Sequence, residues 1–195
     1  MTAMCDVAFL LLSFFIMTST ARLPEPHPIN SPASTVQTKI PDTNIGTIMV
    51  GNDGQVFFGM AGQEQRKIML RNMAERYPVL KAVYDDPNML KRFSVIDFFG
   101  VDVSQLGQMI AMSGSDRNKP GVQQGIPYDS LNNQLRDWIL SARLAAKEVD
   151  NADLNIAIKG DTKTQYPTIK KVIGVLQDQR KNNFFLVTTL RGENF

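Results

Sequence analysis

Asp6 is the residue that demands an explanation. It lies within MCDVAFLLLSFFIM, residues 4–17, a stretch that is otherwise apolar apart from Ser13. A carboxylate in such a place can carry a proton across a low-dielectric region, or it can cap the start of a helix at an interface. Asp6, Ser13 and Thr20 recur every seven residues. At about 100° per residue a helix drifts only ~20° per heptad, so the three share one face. Thr2 lies one turn before Asp6 on the same side. A polar stripe on an apolar helix should face protein or water, because an ionised carboxylate facing lipid is costly. Spacing alone leaves the relay and the cap both open. Ser13 extends the same stripe and is the second candidate, although serine also suits tight helix packing.

Little else in the chain is equipped for catalysis. A single cysteine, Cys5, leaves no intramolecular disulfide and no cysteine cluster for zinc, and the one histidine, His27, lies in a proline-rich tract and reads as a linker residue rather than as part of a metal site or triad. GNDG (51–54) and GMAG (59–62) lack the lysine and the spacing of a phosphate-binding loop. Asp85–Asp86 and the Asp150/Asp153 pair read as caps and solvated faces, and Phe98–Phe99 reads as core. A net charge of +2 provides no strong field for nucleic acid. Nothing in this inventory requires an enzyme, a cofactor or a metal.

The elements that would position Asp6 follow from hydropathy. Met4 to Ser19 spans roughly 24 Å as a helix, against a hydrocarbon core of roughly 30 Å. Adding Thr2 and Thr20 brings the segment near spanning length, so residues 1–20 are read as a transmembrane helix. A secretory signal peptide competes, since TSTA ending at Ala21 has suitably small residues, but the basic leader is missing. A lipoprotein fits worse, because Cys5 precedes the apolar run. A helix beginning at Met1 has no basic anchor, and the expectation is that a cytoplasmic N-terminus precedes it.

Residues 21–43 carry five of the ten prolines among Ser, Thr and Asn, the composition of an extended tether. A folded domain is expected over 44–195. NIGTIMV and QVFFGM form a hairpin across Asp53–Gly54. Helical patterns fill 63–112, interrupted at Pro78 and Pro87, and 113–127 is a loop. Asp129 or Ser130 caps a helix with Leu131, Leu135, Trp138, Ala142 and Ala145 on one face. LNIAIK then alternates as a half-buried strand. Pro167 opens a helix with the stripe Ile169, Val172, Ile173 and Leu176, and NFFLVTTL closes as a strand. The order predicts an α+β domain with helices packed on one side of a mixed sheet.

Two regions together resemble the ExbD/TolR family of biopolymer-transport proteins. MTAMCDVAFLLLSFFIMTS is similar to the family's spanning segment, with Thr2, Met4, Asp6, Val7, Leu10 and Leu11 in register. LNIAIKGDTKTQYPTIKKVIGVLQDQRKNNFFLVTTL is similar to its strand–Asp–Tyr–helix–strand ending, with Asp161, Tyr166, Val172 and LVT at 186–188 in place. The MVGNDGQVFF hairpin also matches. Two further departures stand beside the missing tail: Ala3 replaces the family's proline, and residues from about 60 to 127 look like a helical insertion. The resemblance implies a single-pass inner-membrane protein of a Gram-negative-type cell, with its C-terminal domain in the periplasm. It implies dimerisation and work with an ExbB/TolQ-like multi-spanning partner and a TonB- or TolA-like protein. Asp6 would take up and release the proton that drives the complex. The alternatives are a TolR-like envelope-integrity subunit, or a periplasmic anchor for peptidoglycan or TonB in which Asp6 is merely interfacial.

Overall fold

A computed structural model describes residues 2–19, 29, 31–34 and 43–190. The apolar N-terminal run forms α1 (Thr2–Thr18). Its 17 residues rise about 25 Å. Among the described residues no helix is long and apolar enough to cross a membrane. Thr20, the last member of the polar stripe, lies outside the described residues, as do most of 21–43. Within that tract Ala33–Ser34 is strand β1.

The expected hairpin forms from β2 (Ile45–Val50) and β3 (Val56–Met60), antiparallel with Ile48 opposite Phe58. Gly54 in its turn takes φ 77°, a left-handed conformation open to glycine. Then come α2 (Gln63–Arg76), a 3₁₀ turn opened by Pro78, α3 (Lys81–Asp85) and α4 (Pro87–Ser94). Both prolines sit at first-turn positions where their missing N–H costs nothing. Asp86 caps α4 by accepting from Asn88 N–H at 2.8 Å. β4 (Phe98–Phe99) extends the sheet beyond β3. Gly59 on β3 faces this strand, and a Cβ there would come within 2.4 Å of the Phe98 ring.

After a 3₁₀ turn at Val103–Gln105 come α5 (Leu106–Ala111) and the one-turn α6 (Gly114–Arg117), the latter inside the stretch read as loop. The long helix α7 (Gln134–Asp150) starts later than expected. Asp129 and Ser130 are used in a tight turn, in which Asn132 N–H donates to Asp129 O and Tyr128 bridges Asn133. Asn133 is therefore the cap, accepting from Arg136 N–H at 3.0 Å. Leu131, assigned to the apolar face, precedes the helix and is fully exposed, whereas Leu135, Trp138, Ala142 and Ala145 are buried. The helix ends at Asn151 in the left-handed region.

β5 (Asn155–Gly160) pairs in parallel with β2, and α8 (Tyr166–Asp178) carries the chain to β6 (Phe185–Val187), parallel to β5. The final strand was expected to be continuous; it splits into β6 and β7 (Thr189–Leu190), and β7 pairs with β1 instead. The main sheet has the order β4-β3-β2-β5-β6 and is mixed. β5 is also more buried than a half-buried strand, since Ala157 on its second face is 1% exposed.

Alternation along the strands makes two faces. Ile48, Val50, Val56, Phe58, Met60, Phe99, Ile156 and Ile158 point into one core, shared with α2, α4, α5, α7 and α8. Met49 and Phe57 point the other way and meet Ile29 and Phe98. Helices thus cover one side of the sheet, as expected. Residues 63–126 supply much of the main core, including Leu70, Met73, Phe93, Leu106 and Ile110. Arg66, only 8% exposed, stitches this segment to the sheet. Its guanidinium donates to Met60 O, Ser94 O and Asp97 Oδ1, each at 2.7 Å.

Candidate functional site

α1 forms because its residues between Met4 and Met17 are predominantly helix-compatible and apolar, with neither Gly nor Pro. What it does not do is bury them. Phe9, Leu10, Leu11, Leu12, Phe14, Phe15, Ile16 and Met17 are each more than half exposed. This apolar surface, interrupted by Asp6 and Ser13, leaves each of these side chains unfavourably hydrated unless something covers it.

Asp6 lies in the second turn of this helix, outside the first turn where an acid would meet unpaired backbone N–H groups. It is exposed, and among the described residues it makes no hydrogen bond or ion pair. Ser13 is placed two turns further on and is half-buried. Its Oγ donates to Phe9 O at 2.8 Å, as Thr18 Oγ1 does to Phe14 O, the usual resort of a hydroxyl on an apolar helix. The Ser13 hydroxyl proton is therefore already engaged, and the carboxylate of Asp6 makes no such bond among the described residues.

The structure gives Asp161 a local task. At the end of β5 its backbone N–H donates to Val50 O at 3.1 Å, and its Oδ1 accepts from Lys163 N–H at 2.9 Å. Thr164 Oγ1 reaches Val50 O and Gly51 O, so the loop before α8 is sewn to the hairpin. Tyr166 stands 72% exposed at the start of α8. Among the described residues no group of His, Cys, Asp or Glu side chains could hold a metal ion.

Sequence reasoning missed a polar cleft of ≈ 390 Å³ beside the hairpin turn, lined by Asp53, Gln55, Asp102, Gln105, Tyr128 and Asp129 among others. Asp102 is committed within it: burial pushes its carboxyl up, but Ser104 N–H, Ser104 Oγ and the Gln134 amide hold it below the ordinary value. Tyr128 donates to Gly54 O at 3.0 Å, and burial, followed by Asp129, raises its phenol. No periodicity marks such a cleft, because its walls come from three separate parts of the chain.

The family model for "Biopolymer transport protein ExbD/TolR" matches residues 1–190. The chain belongs to the ExbD/TolR family. That match takes in α1, the mixed sheet and every helix described above. No curated protein and no solved structure matches the chain. ExbD/TolR is an inner-membrane-associated family of biopolymer transport and envelope energy transduction, and it is not known as an enzymatic one. Its members generally work with ExbB/TolQ and TonB/TolA partners.

Proposed function

We propose that this ExbD/TolR protein is the proton-carrying subunit of an ExbB–ExbD–TonB type complex, using the proton motive force to drive outer-membrane transport. In this reading residues 1–20 span the inner membrane once, 21–43 are the periplasmic tether, and 44–195 form the periplasmic domain. Two such chains work inside an ExbB-like ring. The observation that supports it is Asp6, an unpartnered carboxylate on a helix whose apolar surface is otherwise exposed all round.

The physics of the step is simple. Ionised, Asp6 must face water or a polar group of the ring; protonated, it loses most of its desolvation penalty and tolerates an apolar wall. Each proton taken up and released thus changes which face of α1 is favoured against the ring. One charge crossing ~100 mV supplies about 2.3 kcal/mol, enough to bias a tilt or rotation. The folded domain, held by the tether, passes that motion to the TonB-like partner. The segment 60–127, in this reading an insertion into the family's shorter domain, consolidates the core.

The test is Asp6→Asn in a strain dependent on this chain. Energised uptake through outer-membrane receptors is expected to be lost, while co-purification with the ExbB-like partner stays at the wild-type level. Full uptake in a well-expressed Asn variant would overturn the relay role and favour a passive anchor. Genes adjoining this one separate the two systems: a TonB-like neighbour fits the ExbD assignment, whereas TolB- or Pal-like neighbours fit TolR.

A further inference from the structure

The outer face of α8 carries a pattern that the domain itself does not use. Lys171, Gly174 and Asp178 follow one another at three and four residues, so they share one face of the helix. They line one wall of a groove of ≈ 370 Å³, whose other wall includes Asn133 and Arg136. Gly174 sits in the helix interior, where glycine weakens a helix relative to alanine. Packing does not call for it, since among the described residues a Cβ there would meet no heavy atom within 4 Å. Asp178 occupies the last turn, beside unpaired carbonyls, at the end of a helix that favours a cation. Lys171 and Asp178 make no ion pair among the described residues.

A glycine facing open space, a carboxylate at the disfavoured end and a lysine without a counter-charge are all accounted for by one neighbour. We propose that the Lys171–Gly174–Asp178 face of α8 is an interface between two copies of this chain, packed antiparallel about a two-fold axis at Gly174. Lys171, one turn before the axis, then lies opposite Asp178 of the second copy, one turn after it, and the reverse pair forms on the other side. The face is self-complementary, as a two-fold contact requires. Asp178 gains the cation that its end of the helix favours, and the missing side chain at Gly174 lets the two backbones approach closely. A parallel arrangement would set lysine against lysine and aspartate against aspartate. One helix crossing is a small contact, so it holds only where the copies already share a complex, and to that extent the proposal rests on the two-copy reading above.

The experiment uses the full chain, co-expressed as two differently tagged versions and oxidised mildly in isolated cell envelopes. Both carry Cys5→Ser; one also carries Lys171→Cys and the other Asp178→Cys, so one of the two cross-pairs keeps its charges. The unlike versions are expected to join in a disulfide. Like versions are expected to stay apart, because the two copies of position 171 are separated by six residues of rise, about 9 Å along the axis, beyond the ~7 Å that a disulfide spans. Gly174→Leu in both versions is expected to cut the unlike disulfide at least fivefold without lowering the thermal midpoint, since leucine suits a helix and its Cβ meets open space. Co-isolation of the two tags reports separately whether two copies share a complex. Co-isolated chains without the unlike disulfide would overturn the interface and leave the two-copy reading standing. Like pairs that cross-link equally well, or an undiminished disulfide in Gly174→Leu, would do the same. Chains that never co-isolate would overturn both, while uptake in Asp6→Asn still speaks to the relay alone.

Discussion

The indole of Trp138 on α7 meets the ring of Phe99 on β4 edge to face, with centroids 4.7 Å apart. Phe93 of α4 lies beside both, at 5.5 Å from Phe99 and 6.2 Å from Trp138. This cluster joins the helix that precedes β5 to the segment between the hairpin and that helix. It is why residues 63–126 belong to the same core as the strands.

Phe99→Ala should therefore cost about 3–5 kcal/mol in unfolding free energy, the usual range for emptying a large aromatic site. Trp138→Phe should cost less than Phe99→Ala. The indole Nε1 is buried without a hydrogen-bond partner among the described residues, and its removal relieves that penalty while leaving some void. Urea unfolding followed by far-UV circular dichroism compares the two. An equal cost would mean that the indole's packing outweighs its unpaired N–H.

The start of α7 gives a sharper comparison. Asn133→Ala should lose about 0.5–2 kcal/mol, the typical worth of an N-cap. Asp129→Ala should cost less, since Asp129 lies in the preceding turn and its side chain does not cap the helix. Parallel denaturation curves of the two variants check this, and a larger loss in Asp129→Ala would place the cap where sequence reasoning put it.

Acid should weaken the domain in a way traceable to Asp102. Burial raises its carboxyl but the hydrogen bonds from Ser104 and Gln134 win, so its folded pKa lies below the unfolded value. A depressed carboxyl stabilises fully above the unfolded pKa, and that stabilisation disappears as pH falls through the folded one. Stability should decline as pH drops below about 4, and Asp102→Asn should flatten that part of the profile. An unaltered profile in the Asn variant would assign acid sensitivity elsewhere, with Asp153 beside Lys181 the next group to examine.

Tyr77 should titrate late. Burial and its hydrogen bond to Asp137 push its phenol up to about 12. Protonated Tyr77 is the form the fold prefers, so its contribution is complete below about pH 10 and is lost as pH rises through about 12. Phenolate absorbance of wild type against Tyr77→Phe isolates this one tyrosine, and ionisation near pH 10 would contradict the packing described.

Much of the fold was legible because local chemistry and tertiary fold agree. Asp53–Gly54 dictates a hairpin, Pro78 and Pro87 interrupt the helical patterns, Pro167 opens a helix, and the 3.6- and 2-residue periods of α7, β5 and α8 identify their buried faces. Asp6 stands out in the sequence for the opposite reason: a carboxylate in an apolar run violates the local rule, which singles out the position without assigning it a role. What the residues could not disclose was competition. Asp129, Ser130 and Asn133 are all good caps, and only the closure of the Tyr128–Asn133 bridge selects the last. Arg66 has the look of a solvent-facing helix residue until Met60, Ser94 and Asp97 converge on it. Ile29 is one apolar residue in a proline-rich tract, and its seat consists of Met49 and Phe57 from strands some twenty residues and more away. Segment identity rests on neighbours in sequence, so the sequence alone determined the hairpin, the longer helices, the final strand–helix–strand order and the exceptional carboxylate. Cap choice, the buried arginine and the seat of Ile29 depend on free energies shared between distant residues, and only the tertiary structure decided them.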